Sequence, residues 1–136
     1  MSLVRDAMVP EPLSLESSAS AQEAAVALSD PEVRAVLVCD GGRLVGVVTR
    51  KTLVREVVAE GRDPRTTSLG TIAEPPVYTV DAAAPLEDAF HALEARDLER
   101  VPVTQDGRLV GVLSRAAVQR RLYEDEPADP DESQPD

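Results

Sequence analysis

Gly42-Arg43-Leu44-Val45-Gly46-Val47 returns, unchanged, as Gly107-Arg108-Leu109-Val110-Gly111-Val112. The offset is 65 residues, and holding it without a gap aligns many further pairs. Pro10 meets Pro75, Ala24 meets Ala89, Leu28 meets Leu93, Val36 meets Val101, Val38 meets Val103, and Arg50 meets Arg115. One identical hexapeptide can arise by chance in a Val-rich chain. Gapless agreement over about fifty positions is the mark of an internal repeat.

Each copy reads as the same order of elements. Asp40-Gly41-Gly42 and Gln105-Asp106-Gly107 are turn sequences set between apolar strand-like runs, so each hexapeptide forms the return strand of a β-hairpin. Upstream, Ala21, Ala24, Ala25 and Leu28 fall at helical spacing, as do Leu86, Ala89, Phe90 and Leu93. Ser20 with Glu23 has the form of a capping box, and Pro85 suits a helix start. Short strands precede these helices, at residues 13–15 and 77–80. A second helix follows each hairpin, carrying Leu53, Val54, Val57 and Val58 in one copy and Val118 and Leu122 in the other. The fold class is therefore α+β, with two β-α-β-β-α repeats. The divisions are repeat 1 over residues 3–60, a linker over 61–70, repeat 2 over 71–123 and an acidic tail over 124–136. A half of about sixty residues is marginal alone, so the two are expected to pair their sheets and share a core.

Composition narrows the function. The chain has 136 residues and a formal net charge of −11. Seven of its 25 acids lie in the tail, which has no base; the remaining 18 acids face 14 bases. Neither part offers a basic face, and only Tyr78, Phe90 and Tyr123 are aromatic. Nucleic acid is not the expected partner. No apolar run approaches the roughly 18–20 residues that cross a bilayer, and residues 1–6 lack the pattern of a signal peptide. The single cysteine, Cys39, fits a reducing compartment, so the expected location is the cytoplasm. One histidine, His91, lies off the apolar stripe of its helix and reads as solvated. With Cys39 elsewhere, no zinc set forms, and the tail carboxylates lack the ordered spacing of a calcium loop. No nucleophile with its base is evident, and the expectation is that the chain is not an enzyme.

The order of elements, the phrase Glu99-Arg100-Val101-Pro102-Val103, the doubled hexapeptide followed by Thr49 or Ser114, and the opening Val4-Arg5-Asp6-Ala7-Met8 resemble cystathionine-β-synthase (CBS) repeats. The likeness spans residues 3–123. The linker is similar to that of stand-alone bacterial two-repeat proteins of the hypoxic-response type. The resemblance implies a pseudo-twofold pair, or Bateman module, its sheets packed together with helices outside. It also implies two clefts that take AMP, ADP, ATP or S-adenosylmethionine, with no cofactor required. In the repeat 2 cleft the matching positions are Pro76, Val77, Val101, Pro102, Ser114, Arg115 and Ala117. In the repeat 1 cleft they are Pro12, Leu13, Val36, Leu37, Thr49, Arg50 and Thr52. The family pattern has an aspartate for the ribose where this chain carries Thr52 and Ala117, and a proline where it carries Leu37. Losing charge-assisted hydrogen bonds of about 1.5–3 kcal/mol weakens a site roughly 10- to 100-fold. The expected function is a regulatory sensor that binds an adenosine-type ligand weakly, better in repeat 2. The alternative is a ligand-free interaction module. Either acts through a separate protein partner, and the apolar helix residues Leu53, Val54, Val57, Val58, Val118 and Leu122 imply a homodimer.

Overall fold

The structure is a computed structural model that describes residues 1–10, 12–76 and 78–125. Repeat 1 contributes α1 (Val4–Ala7), β1 (Val9–Pro10), β2 (Ser14–Glu16), α2 (Ala21–Leu28), β3 (Val36–Asp40), β4 (Arg43–Val48) and α3 (Arg50–Leu53). Repeat 2 contributes α4 (Leu69–Ile72), β5 (Val80–Asp81), α5 (Leu86–Ala95), β6 (Arg100–Gln105), β7 (Arg108–Ser114) and α6 (Arg115–Asp125). The β-α-β-β-α order holds in both. Ser20 caps α2 by accepting the Glu23 N–H at 3.2 Å, and Pro85 is the N-cap of α5.

The strands form one seven-stranded sheet in the order β2-β3-β4-β7-β6-β5, with β1 added to β7. Each hairpin is antiparallel, and each first strand joins its hairpin in parallel. The two halves meet at the hairpin turns, where Arg43 pairs with Arg108. There Leu44 N–H donates to the Gly107 carbonyl at 3.2 Å, and Leu109 N–H donates to the Gly42 carbonyl at 3.0 Å. Those two bonds interchange under the offset of 65.

The lead-in helices obey the same exchange. Val4 N–H donates to the Ala84 carbonyl at 2.9 Å, and Leu69 N–H to the Ala19 carbonyl at 2.8 Å. Arg5 N–H reaches the Ala82 carbonyl at 3.0 Å, and Gly70 N–H the Ser17 carbonyl at 2.8 Å. Leu86 N–H donates to the Ser2 carbonyl at 3.0 Å, and Ala21 N–H to the Thr67 carbonyl at 2.8 Å. Thus α1 docks on repeat 2 and α4 docks on repeat 1. This reciprocity is the pseudo-twofold relation, written in backbone hydrogen bonds.

Two apolar clusters result, rather than the single shared core expected from sequence. One gathers Val101, Val103, Leu113, Leu86 and Leu93 of repeat 2 and is completed by Val4. The other gathers Val36, Val38, Val48 and Leu28 of repeat 1 and is completed by Leu69 and Ile72. The halves depend on each other because each lends a helix, not because their side chains mingle in one interior. Leu69 and Gly70, placed in the linker by their lack of period, therefore begin a helix. Leu69 is fully buried.

Two further expectations are corrected. Val57 and Val118, expected on the exposed apolar face, lie inside the two clusters, whereas Val54 and Val58 are exposed. The helix after β4 is also not uniform. Beyond Leu53 it opens into a π-helical stretch, Val54–Val58, where Ala59 N–H reaches back to the Val54 carbonyl at 2.8 Å. Gly61, at φ 68°, ends it. The matching α6 is regular and runs to Asp125, so Glu124 and Asp125 of the acidic tail are helical. Residues 126–136 of that tail lie outside the described residues. No helix among the described residues is long and apolar enough to cross a membrane.

Candidate functional site

Two seams run between the repeats where they exchange segments. Glu74 pairs with Val47 of repeat 1, and six residues later Val80 pairs with Val103 of repeat 2. The segment between them, with Pro76, therefore crosses from one repeat to the other. Its counterpart leaves β7 at Val9 and Pro10 and joins β3 at Ser14, carrying Pro12 and Leu13 across the second seam. Gly46 and Gly111 make these crossings possible. A Cβ on Gly46 would sit 2.7 Å from Ala73 Cβ, and one on Gly111 would sit 2.8 Å from the Val9 carbonyl oxygen.

Strand alternation sorts the expected wall residues. Val36 and Val101 belong to the interior clusters, so their side chains do not line a cleft. Their neighbours Leu37 and Pro102 point to the opposite face. Pro102 pairs with Val112, and Ser114 lies two residues on along the same face of β7. Such diagonal neighbours stand about 7–8 Å apart. Leu37, Val47 and Thr49 have the same relation in repeat 1. Pro102 and Pro76 are half-buried, Leu37 is buried and Leu13 is exposed. Val77 lies outside the described residues.

The helix-opening hydroxyls differ between repeats. Thr49 accepts the Thr52 N–H at 3.3 Å, and Thr52 Oγ1 accepts the Thr49 N–H at 3.0 Å. The two hydroxyls also share a 3.0 Å bond, and Thr52 is 1% exposed. This closed capping box holds Thr52 inward, with its hydroxyl bonded back to Thr49. Among the described residues Ser114 accepts the Ala117 N–H alone, at 3.1 Å, and its O–H remains a donor. Ala117 is half-buried and has no polar group for a sugar.

The arginines are engaged. Arg50 donates to the Asp30 carbonyl at 2.8 Å. Arg115 is paired with Glu99 and lies 3.6 Å from Asp97. The hydrogen bond to Glu99 is the main cause that raises the Arg115 pKa, with Asp97 adding to it. Asp97 and Glu99 were not legible as site neighbours. Asp97 holds φ 54° just past α5, a turn position that its sequence alone does not mark. Tyr78, next to the crossing segment, carries the Arg96 guanidinium 4.2 Å from its ring centroid. That pair likewise joins residues eighteen apart.

The remaining reactive groups stand apart from the clefts. Cys39 is buried in β3; burial pushes its thiol pKa up, opposed by a hydrogen bond with Ser14 and reinforced by Glu16. His91 is exposed, 3.9 Å from Glu87. Among the described residues no three His, Cys, Asp or Glu side chains gather to hold a metal.

Two five-element units that exchange lead-in helices and leave twin seams define a paired-repeat module. The chain belongs to the CBS domain family, whose model matches residues 4–59 and again residues 69–124. Hypoxic response protein 1 of Mycobacterium tuberculosis is 34% identical over 102 residues, covering 74% of this chain and 71% of that protein. The crystal structure of Hypoxic Response Protein I with two coordinated zinc ions is similar with a TM-score of 0.74. Its identity is 30%, over 89% of this chain and 99% of that one. The structure of CBSX2 in complex with AMP gives a TM-score of 0.69 at 27% identity, over 90% of this chain and 96% of that one.

Proposed function

We propose that this chain is a non-enzymatic, cytoplasmic regulatory module that binds an adenosine-type ligand weakly in the repeat 2 cleft and acts on a separate protein as a homodimer. The observation that carries the ligand reading is the asymmetry of the two helix-opening hydroxyls. Thr49 is closed into a box with Thr52, whereas Ser114 keeps a donor at the start of an eleven-residue helix, beside Pro102. At this helix start the Arg115 N–H is held by the Glu99 carbonyl and the Ala117 N–H by Ser114, so the Ser114 hydroxyl is the main group offered to a phosphate. The AMP complex of CBSX2 supports a nucleotide as the ligand class. Weakness follows from Ala117, which offers the ribose nothing, and from Glu99, which already holds Arg115.

The zinc of Hypoxic Response Protein I does not transfer on the residues present. His91 is exposed on α5, Cys39 is buried in β3, and no described cluster completes a donor set.

Calorimetry with AMP, ADP, ATP and S-adenosylmethionine tests the ligand. Ser114→Ala should weaken binding several-fold. Ala117→Asp should tighten it about tenfold or more by supplying a charge-assisted bond to the sugar. Inorganic phosphate should show no gain from the added aspartate. Absence of binding heat with all four ligands would make the ligand-free interaction module the better reading, which the closed Thr49–Thr52 box and the Arg115–Glu99 pair favour. Light scattering should return twice the 14.5 kDa chain mass.

A further inference from the structure

Three arginines stand beside the segments that bound the repeat 2 cleft, and two of them are engaged. Arg96 lies over the Tyr78 ring. Arg115 is held by Glu99, with Asp97 close by. Arg100 is exposed and enters no ion pair among the described residues. The two carboxylates nearest it in sequence are those already turned to Arg115. The register of β6 and β7 places Arg100 directly opposite Ser114. Cross-strand partners share a face, with Cβ atoms about 4.5–5.5 Å apart. Val101 and Leu113 belong to the interior cluster, so Arg100, Pro102 and Ser114 stand on the face turned from it. A free guanidinium is therefore set next to the hydroxyl that can donate to a phosphate. The offset of 65 puts Ala35 at this position in repeat 1, where Thr49 is closed by Thr52 as well.

Positive charge is scarce around that pair. The Arg115 side chain is 23% exposed, whereas Glu99 is 76% and Asp97 95% exposed. The two carboxylates form the solvent-facing edge and outnumber the guanidinium they hold. One phosphate group finds Arg100 and the Ser114 O–H. A second and a third find no free cation there, and they add negative charge beside Glu99 and Asp97. Charges closer than a Debye length of about 8 Å are not screened from one another, and like charges so placed are costly.

We infer that the repeat 2 cleft selects a nucleoside monophosphate, with Arg100 taking the phosphate and the carboxylates of Glu99 and Asp97 turning away longer phosphate chains. The inference rests on the adenosine-type ligand reading and adds the number of phosphates and the residues that set it.

The test is calorimetry on the full chain with adenosine, AMP and ATP, without divalent ions. AMP should bind about tenfold tighter than either of the others. Arg100→Gln should bring AMP down to the level of adenosine. Glu99→Gln combined with Asp97→Asn should raise ATP affinity about tenfold. Asparagine suits the φ of 54° at position 97, so the turn is kept. Adenosine carries no phosphate, and its unchanged affinity in both variants shows that the cleft keeps its shape. ATP bound as tightly as AMP by the unsubstituted chain overturns the inference. So does a preference for AMP over adenosine that survives Arg100→Gln, or a rejection of ATP that survives loss of both carboxylates. Each of these results leaves the ligand reading standing, whereas no binding of any of the three compounds overturns both.

Discussion

At the scale of single residues, Gly46 and Gly111 show how a sequence identity encodes a contact between repeats. Both stand inside the duplicated hexapeptide, where strand propensity alone would prefer a branched side chain. Each is glycine because the lead-in segment of the other repeat crosses directly above it. At Gly46 an added methyl would meet Ala73 Cβ at 2.7 Å and the Glu74 carbonyl oxygen at 3.0 Å. One of those contacts is backbone and cannot rotate away. Gly46→Ala should therefore destabilise the fold by about 1–3 kcal/mol, as overpacking of a close contact does. Urea unfolding monitored by circular dichroism checks this; an unchanged midpoint would show that the crossing segment yields freely. The same scale marks the limit of reading a site from sequence. Thr49 and Thr52 are three apart, a spacing that also fits a solvent-facing pair. The fold turns Thr52 inward, with both hydroxyls bonded. Glu99 and Arg115 are sixteen apart, and the β6–β7 register that unites them has no local signature.

Among the elements, the hairpins and long helices were legible because period and turn chemistry coincide in them. Asp40-Gly41-Gly42 and Gln105-Asp106-Gly107 stand between apolar strands, and α2 and α5 carry a stripe at helical spacing. The one-turn helices α1 and α4 were not legible as elements, because four residues show no period. Nor does anything local tell which repeat they join. Leu69 sits beside Thr66-Thr67-Ser68 and reads as linker, yet it is as buried as Leu86 or Leu93. Its cluster is that of repeat 1. Leu69→Ala should cost about 2–5 kcal/mol, the range for a large aliphatic side chain lost from an interior. The loss should fall on the repeat that lies before it in sequence. Amide exchange should quicken more in Ala21–Leu28 than in Leu86–Ala95. Faster exchange confined to repeat 2 would contradict the exchange of lead-in helices.

For the molecule as a whole, the exchange makes two small halves into one cooperative unit. A sixty-residue domain buries only about 60% of the surface its unfolded chain exposes and is marginal for that reason. Here each half is also incomplete. A fragment of residues 1–62 holds α1, which belongs on repeat 2, and lacks Leu69 and Ile72, which close its own cluster. A fragment of residues 63–136 has α4 with nothing to dock on and lacks Val4. The backbone suffers equally, since the carbonyls of Ala19 and Ser17 lose the N–H groups of Leu69 and Gly70, and those of Ala84 and Ala82 lose Val4 and Arg5. Neither fragment should show a cooperative thermal transition alone. An equimolar mixture should recover one, with a midpoint that rises with concentration because the folded state is then bimolecular. Calorimetric scans of the three samples decide the matter. A sharp transition in either isolated fragment would mean that a repeat closes its own cluster without the borrowed helix. The reciprocal bonds between α1 and repeat 2, and between α4 and repeat 1, would then be a consequence of folding and not a condition for it.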